Sequence, residues 1–147
     1  ALAQGLPLVL GGVRIESPFG CVAHSDGDVA IHALCDALLG AIAAGDIGKH
    51  FPDSSPEFKG IDSKILLSRT VAILRGKGYG VVNADITIAM QAPKLAPYIG
   101  KMRETLASVM GIGVEDVSVK ATTTEHLGFV GRGEGCEAYA VVLVARE

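Results

Sequence analysis

Residues 24–36 (HSDGDVAIHALCD) constrain the fold most, because their order is typical of a helix start. Ser25, followed three residues later by Asp28, has the spacing of a capping box, in which side chains bond to free N–H groups of the first turn. Apolar residues then recur at helical spacing towards Ala44. We therefore predict a helix that begins near Asp26, runs to about Ala44 and packs its apolar face on a sheet.

Three titratable side chains of this helix follow one another at a spacing of four residues, which places them on one face. Asp28 and Asp36 would flank His32, which suits a metal-binding histidine whose ring is oriented by carboxylates. An ordinary solvated polar face has the same pattern, so both interpretations stay open. His24 and Ser25 precede the helix, where free N–H groups and the helix dipole favour a phosphate.

The composition limits the class of protein. With 147 residues, 49% hydrophobic and 20% charged, the chain has enough apolar surface for one core. A net charge of −3 argues against a nucleic-acid partner, and no apolar run has the length of a membrane span. Cys21, Cys35 and Cys136 have neither the number nor the spacing of a disulfide framework or zinc ribbon. We expect buried, reduced thiols in a reducing compartment, the cytoplasm or a plastid-type stroma.

The remaining elements alternate between helices and strands. Gly11-Gly12 is a two-residue turn signal between short apolar runs and predicts a β-hairpin. We expect one α/β (α+β) layered domain over residues 1–147, with a mixed, four-stranded-type sheet, helices on one face, and the hairpin. The predicted ranges are 8–10 and 13–15 for the hairpin, 63–77 and 98–110 for two further helices, and 81–90, 117–121 and 137–145 for strands.

Several loops carry groups that suit a polar ligand. In Asp46–Gly48, the carboxylate could accept hydrogen bonds from ligand hydroxyls, and the glycine lets the backbone come close to a ligand. A plain turn that ends a helix has the same composition. Lys120–Glu125 (KATTTE) offers hydroxyls and a carboxylate for phosphates and a hard cation, or is simply a strand end. Gln91–Lys94 is a rigid loop whose backbone could read the edge of a base. Arg132, between two glycines, suits a phosphate contact but is weak evidence alone.

Five motifs, taken together and in order, resemble one known family. They are His24–Asp28 with His32, Asp46–Gly48 with Phe51–Asp53, Gln91–Lys94, Lys120–Glu125 and Gly128–Glu134. On these residues the chain resembles the 2-C-methyl-D-erythritol 2,4-cyclodiphosphate synthase family over essentially its whole length. The resemblance implies a phosphorus–oxygen lyase of the non-mevalonate isoprenoid pathway. Such an enzyme converts 4-diphosphocytidyl-2-C-methyl-D-erythritol 2-phosphate into the 2,4-cyclodiphosphate and CMP by intramolecular phosphate attack.

The resemblance also implies a role for each matching residue. His24 and Thr123 would be catalytic, as groups that stabilise the transition state. His32 would bind Zn²⁺, and Glu125 would bind a second divalent ion, Mg²⁺ or Mn²⁺. The residues implied for the phosphate and methylerythritol end of the substrate are His24 and Ser25 for phosphate, and Asp46, Ile47 and Gly48 for the hydroxyls, with Phe51, Pro52, Asp53, Ser54 and Ser55 as the adjoining loop. Those implied for the nucleotide end are Met90, Gln91, Ala92, Pro93, Lys94, Leu95 and Ala96 for cytosine, and Thr122, Thr123, Thr124 and Glu125 for the cytidine diphosphate. Phe129 and Arg132 would lie in a central channel.

The resemblance further implies a homotrimer with active sites between subunits and a channel that can hold an isoprenoid diphosphate. By the same alignment the chain lacks the family's first strand, because Ala1 aligns directly after an Asp-x-His pair that supplies two zinc ligands. A second hypothesis is therefore a non-catalytic trimer that binds a cytidine nucleotide or an isoprenoid diphosphate. A third, a metallophosphatase, lacks a second metal-binding motif.

Overall fold

A computed structural model describes all residues from 1 to 147. Four short strands lie in the first part of the chain, and three long helices and three longer strands follow in the rest. Two helices of four residues lie in loops. In chain order the elements are β1 (Leu2–Gln4), β2 (Leu8–Leu10), β3 (Val13–Ile15), β4 (Phe19–Cys21), α1 (Val29–Ala41), α2 (Ile47–His50), α3 (Ser63–Gly76), β5 (Tyr79–Ala89), α4 (Ile99–Met110), β6 (Val117–Thr122), α5 (Gly128–Gly131) and β7 (Glu137–Arg146).

The main sheet is mixed, as predicted, but has three strands rather than four. β5 is the central strand; it is parallel to β6 and antiparallel to β7. The remaining four strands form two separate antiparallel pairs, β1 with β4 and β2 with β3. Because β5 and β6 are parallel, their carboxyl ends lie side by side, and the loops that follow both strands start at the same edge.

Helices α1, α3 and α4 cover one face of this sheet, in agreement with the prediction. Alternate residues of β5 point towards them and are buried, namely Ala84, Ile86 and Ile88. The helices contribute large aliphatic side chains to the same core, and each one buried is worth about 1.5–3 kcal/mol of transfer free energy. The side chains on the opposite face of β7, which include Tyr139, Val141 and Leu143, remain exposed.

The predicted hairpin is confirmed as β2 and β3, joined by Gly11 and Gly12 with φ of +59° and +75°. Positive φ at both turn positions is what a tight two-residue hairpin turn requires. The pair β1–β4 was not predicted, because both strands have only three residues and, unlike β2 and β3, are not joined by a turn signal.

The first long helix starts later than the sequence predicts. Gly27 has φ +78°, a left-handed conformation that prevents a helix started at Asp26 from continuing. Asp28 is the actual N-cap, because its carboxylate accepts the N–H of Ile31 at 3.0 Å. Ser25 instead accepts the N–H of Gly27 at 3.3 Å in a local turn. The predicted capping box is therefore wrong, and α1 is shorter than predicted at both ends. No helix has the length and apolar character needed to cross a membrane.

Candidate functional site

A cavity of about 420 Å³ opens where the segment before α1, the helix α2 and the loop after α2 meet. It brings together most of the residues predicted for the phosphate and sugar end of a ligand. Asp46, Ser54 and Ser55 adjoin it in the chain without lining it. The predicted residues in its wall are His24, Ser25, His32, Ile47, Gly48, Phe51, Pro52 and Asp53, and the others are Ala23, Phe58, Ile61 and Leu66.

His32 is held in the cavity wall by two hydroxyl groups. Its Nε2 lies 3.2 Å from Ser25 Oγ and 3.0 Å from Ser63 Oγ. Ser63 donates its own O–H to Asp26 Oδ1 at 2.5 Å, so it can only accept from the imidazole, and we assign the ring proton to Nε2. Burial lowers the pKa of His32, although the negative charges of Asp26 and Asp36 act in the opposite direction and raise it. The imidazole is therefore neutral at neutral pH, with Nδ1 carrying the free lone pair.

Asp28, predicted to orient His32, has a different role. Its carboxylate is fully buried and accepts the N–H groups of Gly11 at 3.0 Å and Gly12 at 2.7 Å, in addition to its capping bond. These contacts tie the β2–β3 turn to the start of α1. The carboxylate forms no hydrogen bond with the imidazole of His32, so the prediction of a second-shell partner is wrong here.

Asp36 also has another partner. Its Oδ1 accepts the N–H of Ile47 at 2.7 Å and so fixes the first residue of α2 beside the cavity. The acid that supports His32 is Asp26, which acts through Ser63. No sequence pattern indicates this arrangement, because Ser63 lies on α3 and is 37 residues from Asp26.

Burial raises the pKa of Asp28 from 3.8 to about 6, although its three backbone hydrogen bonds oppose the shift. A raised pKa means that protonated Asp28 stabilises the fold fully below pH 3.8, and that this contribution disappears as the pH rises through about 6. We expect the free energy of unfolding of the wild type, relative to Asp28→Asn, to fall by about 3 kcal/mol between pH 3.5 and pH 7. Urea unfolding of both proteins at each pH measures this difference; a difference that is constant or rises with pH would contradict the assignment.

The side chains of this chain supply only some of the ligands that a metal ion needs. No group of three or more His, Cys, Asp or Glu side chains is arranged to hold a metal ion. His32 offers one nitrogen, whereas catalytic zinc normally has three protein ligands, so these residues do not complete a zinc site. Glu125 is exposed and is a single carboxylate, which fits Mg²⁺ or Mn²⁺, because those ions commonly bind one or two carboxylates together with ligand phosphates.

The other residues of this cavity are positioned by backbone hydrogen bonds. The Nε2–H of His24 donates to the carbonyl of Ser55 at 2.9 Å, which fixes the ring and leaves Nδ1 for a ligand. Asp46 caps α2 by accepting the N–H of Lys49 at 2.9 Å. The cap holds Gly48 in the cavity wall, where the lack of a side chain allows close backbone approach.

A second cavity, of about 290 Å³, lies at the carboxyl ends of β5 and β6. The two strand ends are joined by the N–H of Met90, which donates to the carbonyl of Thr122 at 2.9 Å. Ala92, Thr124 and Glu125 belong to the same two segments but do not line the cavity. The residues that line it are Met90, Gln91, Pro93, Lys94, Leu95, Ala96, Ala121, Thr122 and Thr123.

The loop after β6 is held in an unusual backbone conformation. Glu125 and His126 have φ of +53° and +65°, and consecutive left-handed residues other than glycine cost roughly 1–2 kcal/mol each. Two contacts stabilise this conformation. Gln91 Oε1 accepts the N–H of His126 at 3.2 Å, and Gly131 packs so closely on the His126 backbone that any Cβ would overlap it.

The two cavities share no residue, so within one chain the structure does not bring the His24–His32 group together with the Thr123–Glu125 group. Phe129 and Arg132 line neither cavity. Arg132 is exposed and forms an ion pair with Glu134, with Nε and Oε1 2.8 Å apart.

Comparison with known proteins gives consistent results. The model of the YgbB family matches residues 1–145. A curated relative from Azotobacter vinelandii, named 2-C-methyl-D-erythritol 2,4-cyclodiphosphate synthase, is 60% identical over 97% of this chain and 90% of its own length. A solved structure of a synthase of the same name, in its CDP-bound form, has a TM-score of 0.90 and 36% identity, with 98% of this chain and 93% of the other covered. The bifunctional IspDF of Campylobacter jejuni has a TM-score of 0.96 and 40% identity, with 99% of this chain and 40% of the longer chain covered.

Proposed function

Because the chain belongs to the YgbB family, we propose that it acts as a 2-C-methyl-D-erythritol 2,4-cyclodiphosphate synthase in non-mevalonate isoprenoid synthesis. Its substrate would be 4-diphosphocytidyl-2-C-methyl-D-erythritol 2-phosphate. The observation that carries the proposal is the 60% identity to a curated synthase over nearly the whole chain. The alternative of a non-catalytic binder is not favoured, because the relatives are named as synthases.

The proposed reaction is a displacement within one substrate molecule. An oxygen of the 2-phosphate forms a bond to the β-phosphorus of the diphosphate. The bond from the β-phosphorus to the oxygen that bridges to the α-phosphorus breaks, and CMP leaves with that oxygen. No protein nucleophile is required, so the protein's task is to hold two phosphates in line and to stabilise the charge that develops between them.

The cavity beside α1 supplies groups for the methylerythritol end. His24 is fixed through Nε2, and its other ring nitrogen would donate to a phosphate oxygen when protonated. Ser25 would add a hydroxyl contact. Gly48 in the cavity wall and Asp46, which adjoins the cavity and caps α2, would hold the sugar hydroxyls, because an open backbone and an acceptor suit a polyol. The apolar wall of Phe51 and its neighbours would exclude water that could otherwise attack the diphosphate.

The second cavity supplies groups for the nucleotide end. The backbone of residues 90–96 would bind the edge of cytosine by main-chain hydrogen bonds. The hydroxyls of Thr122 and Thr123 in the cavity wall, with Thr124 beside it, would contact the diphosphate. Thr123 would be the catalytic member of this set. A divalent ion bound by Glu125 and the phosphates would neutralise charge on the leaving CMP. His32 would contribute one ligand to a zinc ion.

We propose a homotrimer in which the two cavities of neighbouring subunits form each active site. Two observations support this assembly. The two groups of site residues lie in separate cavities of one chain. β7 is an edge strand with Tyr139, Val141 and Leu143 exposed by 62%, 72% and 55%, and such an apolar row favours burial against another copy. Phe129 and Arg132 would line a channel on the threefold axis, where an isoprenoid diphosphate could bind.

Gln91 offers a specific test of the nucleotide half. In Gln91→Met the side chain keeps its length but loses the acceptor for the N–H of His126. We expect kcat to fall by about tenfold, since a lost hydrogen bond to a strained loop is worth roughly 1–1.5 kcal/mol. Amide hydrogen exchange at His126 should become faster, while exchange within β5 should not change. Unchanged exchange at His126 together with normal turnover would contradict this role.

The function itself is tested by incubating the purified protein with the substrate, Zn²⁺ and Mg²⁺, and separating the products. We expect CMP and the cyclic diphosphate in equal amounts. Release of free phosphate would indicate a phosphatase. Binding of CMP without turnover would indicate a non-catalytic binder.

A further inference from the structure

Two of the three cysteines lie next to each other in space. Cys21 Sγ and Cys136 Sγ are 3.5 Å apart, although the residues are separated by 115 positions in the sequence. Cys21 is the last residue of β4, and Cys136 is the residue before β7. Both are only partly buried, unlike Cys35, which is fully buried in α1. The expectation of three buried thiols is therefore correct for Cys35 alone.

The backbone holds the two thiols together through β1. Leu2 is paired with Cys21 in the β1–β4 ladder, and the N–H of Leu2 donates to the carbonyl of Glu134 at 2.9 Å. Both cysteine-bearing segments are thus hydrogen-bonded to the same short strand. Gly27 packs against the Cβ of Cys21, which further restricts its position. The short distance therefore follows from the packing of three segments.

We propose that Cys21 and Cys136 are a redox-active pair that forms a reversible intramolecular disulfide when the protein meets hydrogen peroxide. To form the bond, the sulfur atoms must approach from 3.5 Å to about 2.05 Å. The disulfide would link the end of β4, three residues before His24, to the start of β7.

The two thiols are chemically unequal. The contact between the two sulfur atoms lowers the pKa of Cys21 and raises that of Cys136. Cys21 is therefore the first to react. Its thiolate attacks peroxide, which gives a sulfenic acid and, with one proton, water. The sulfur of Cys136 then attacks the sulfenic sulfur, and the hydroxyl leaves as a second water. In total, two thiols and one peroxide give one disulfide and two waters, and peroxide accepts the two electrons.

The consequence is a covalent link across most of the chain. A disulfide that closes so long a loop restricts the unfolded state strongly, so the oxidised protein should melt about 5–10 °C higher than the reduced one. The link also fixes the segment that leads into His24 and the loop that carries Phe129. Cys35 offers an internal control, because burial raises the pKa of its thiol to about 12 and keeps it from reacting.

The test is peroxide treatment of the reduced protein, followed by alkylation and peptide mass mapping. We expect Cys21 and Cys136 to lose their alkylation together and to appear in one cross-linked peptide that dithiothreitol cleaves. Cys35 should remain reduced, and Cys35→Ser should form the same cross-link. In Cys136→Ser, dimedone should trap a sulfenic acid on Cys21.

Three results would overturn the proposal. They are alkylation of both thiols after peroxide, a disulfide only between separate chains, and conversion of Cys21 to a sulfinic acid in the wild type without a cross-link. The readout is covalent and does not use turnover. The result of this test therefore does not depend on the proposed synthase activity.

Discussion

Replacing His24 with alanine should lower kcat by about 10²–10³-fold, because removal of one positioned donor from a developing oxyanion has effects of this size. The side chain lines the cavity rather than the core, so the fold should be retained. The KM for the substrate should change much less than kcat, since the contact is strongest in the transition state. Steady-state kinetics and circular dichroism of the variant measure both effects.

His50 is the matched control for this variant. It lies in the same part of the chain, and its Nε2 also bonds to a backbone carbonyl, that of Ala44 at 2.8 Å, but it does not line the cavity. His50→Ala should keep kcat within about twofold of the wild type, because the half-buried ring of His50 lies behind Phe51 and offers no group to a ligand in the cavity. Equal losses in His24→Ala and His50→Ala would mean that His24 acts only by holding the loop at Ser55.

Replacing Asp28 with alanine should cost about 3–5 kcal/mol of unfolding free energy at pH 5, the largest loss of stability expected for a single polar residue of this chain. The change leaves the buried N–H groups of Gly11, Gly12 and Ile31 without their acceptor and separates the hairpin turn from α1. At pH 7 the loss should be smaller, because the raised pKa of about 6 makes ionised Asp28 less favourable in the fold.

Asp62 is the corresponding control. It caps α3 by accepting the N–H of Lys64 at 2.9 Å, but it is exposed and makes a single capping bond. Asp62→Ala should therefore cost only about 1 kcal/mol, as an ordinary N-cap does. Urea unfolding of the two variants at pH 5 tests the comparison. Similar losses for both would show that the hairpin contacts of Asp28 contribute little.

The contrast between Asp28 and Asp26 shows what could be predicted from the sequence. Helical spacing correctly indicated α1 and singled out His32, which lines the cavity beside α1. It assigned the supporting acid wrongly, because spacing describes one helix only, whereas Asp28 contacts a hairpin and Asp26 contacts α3. The helix also begins later than predicted, because Gly27 has a left-handed backbone conformation, which the spacing of apolar residues does not reveal.

Long-range contacts explain the other differences. The fourth strand expected in the sheet is absent, because the short strands pair among themselves. Of these, β2 and β3 were found from their glycine turn, whereas β1 and β4 are far apart in the sequence and have no such signal. Cys21 and Cys136 meet only because β1 lies between their segments. The loops with polar, ligand-binding groups were predicted as separate motifs, and their binding roles stay predictions. Their division between two cavities appeared only in three dimensions.

The central claim is that the substrate's own phosphate, and not water, attacks the diphosphate. The most direct measurement is to run the reaction in water labelled with heavy oxygen and to analyse both products by mass spectrometry. We expect no label in CMP or in the cyclic diphosphate, because the bond that forms uses an oxygen already present in the substrate. Water attack on the β-phosphorus would instead give unlabelled CMP and a labelled, acyclic 2,4-bisphosphate. Water attack on the α-phosphorus would give labelled CMP, and either result would contradict the proposed mechanism.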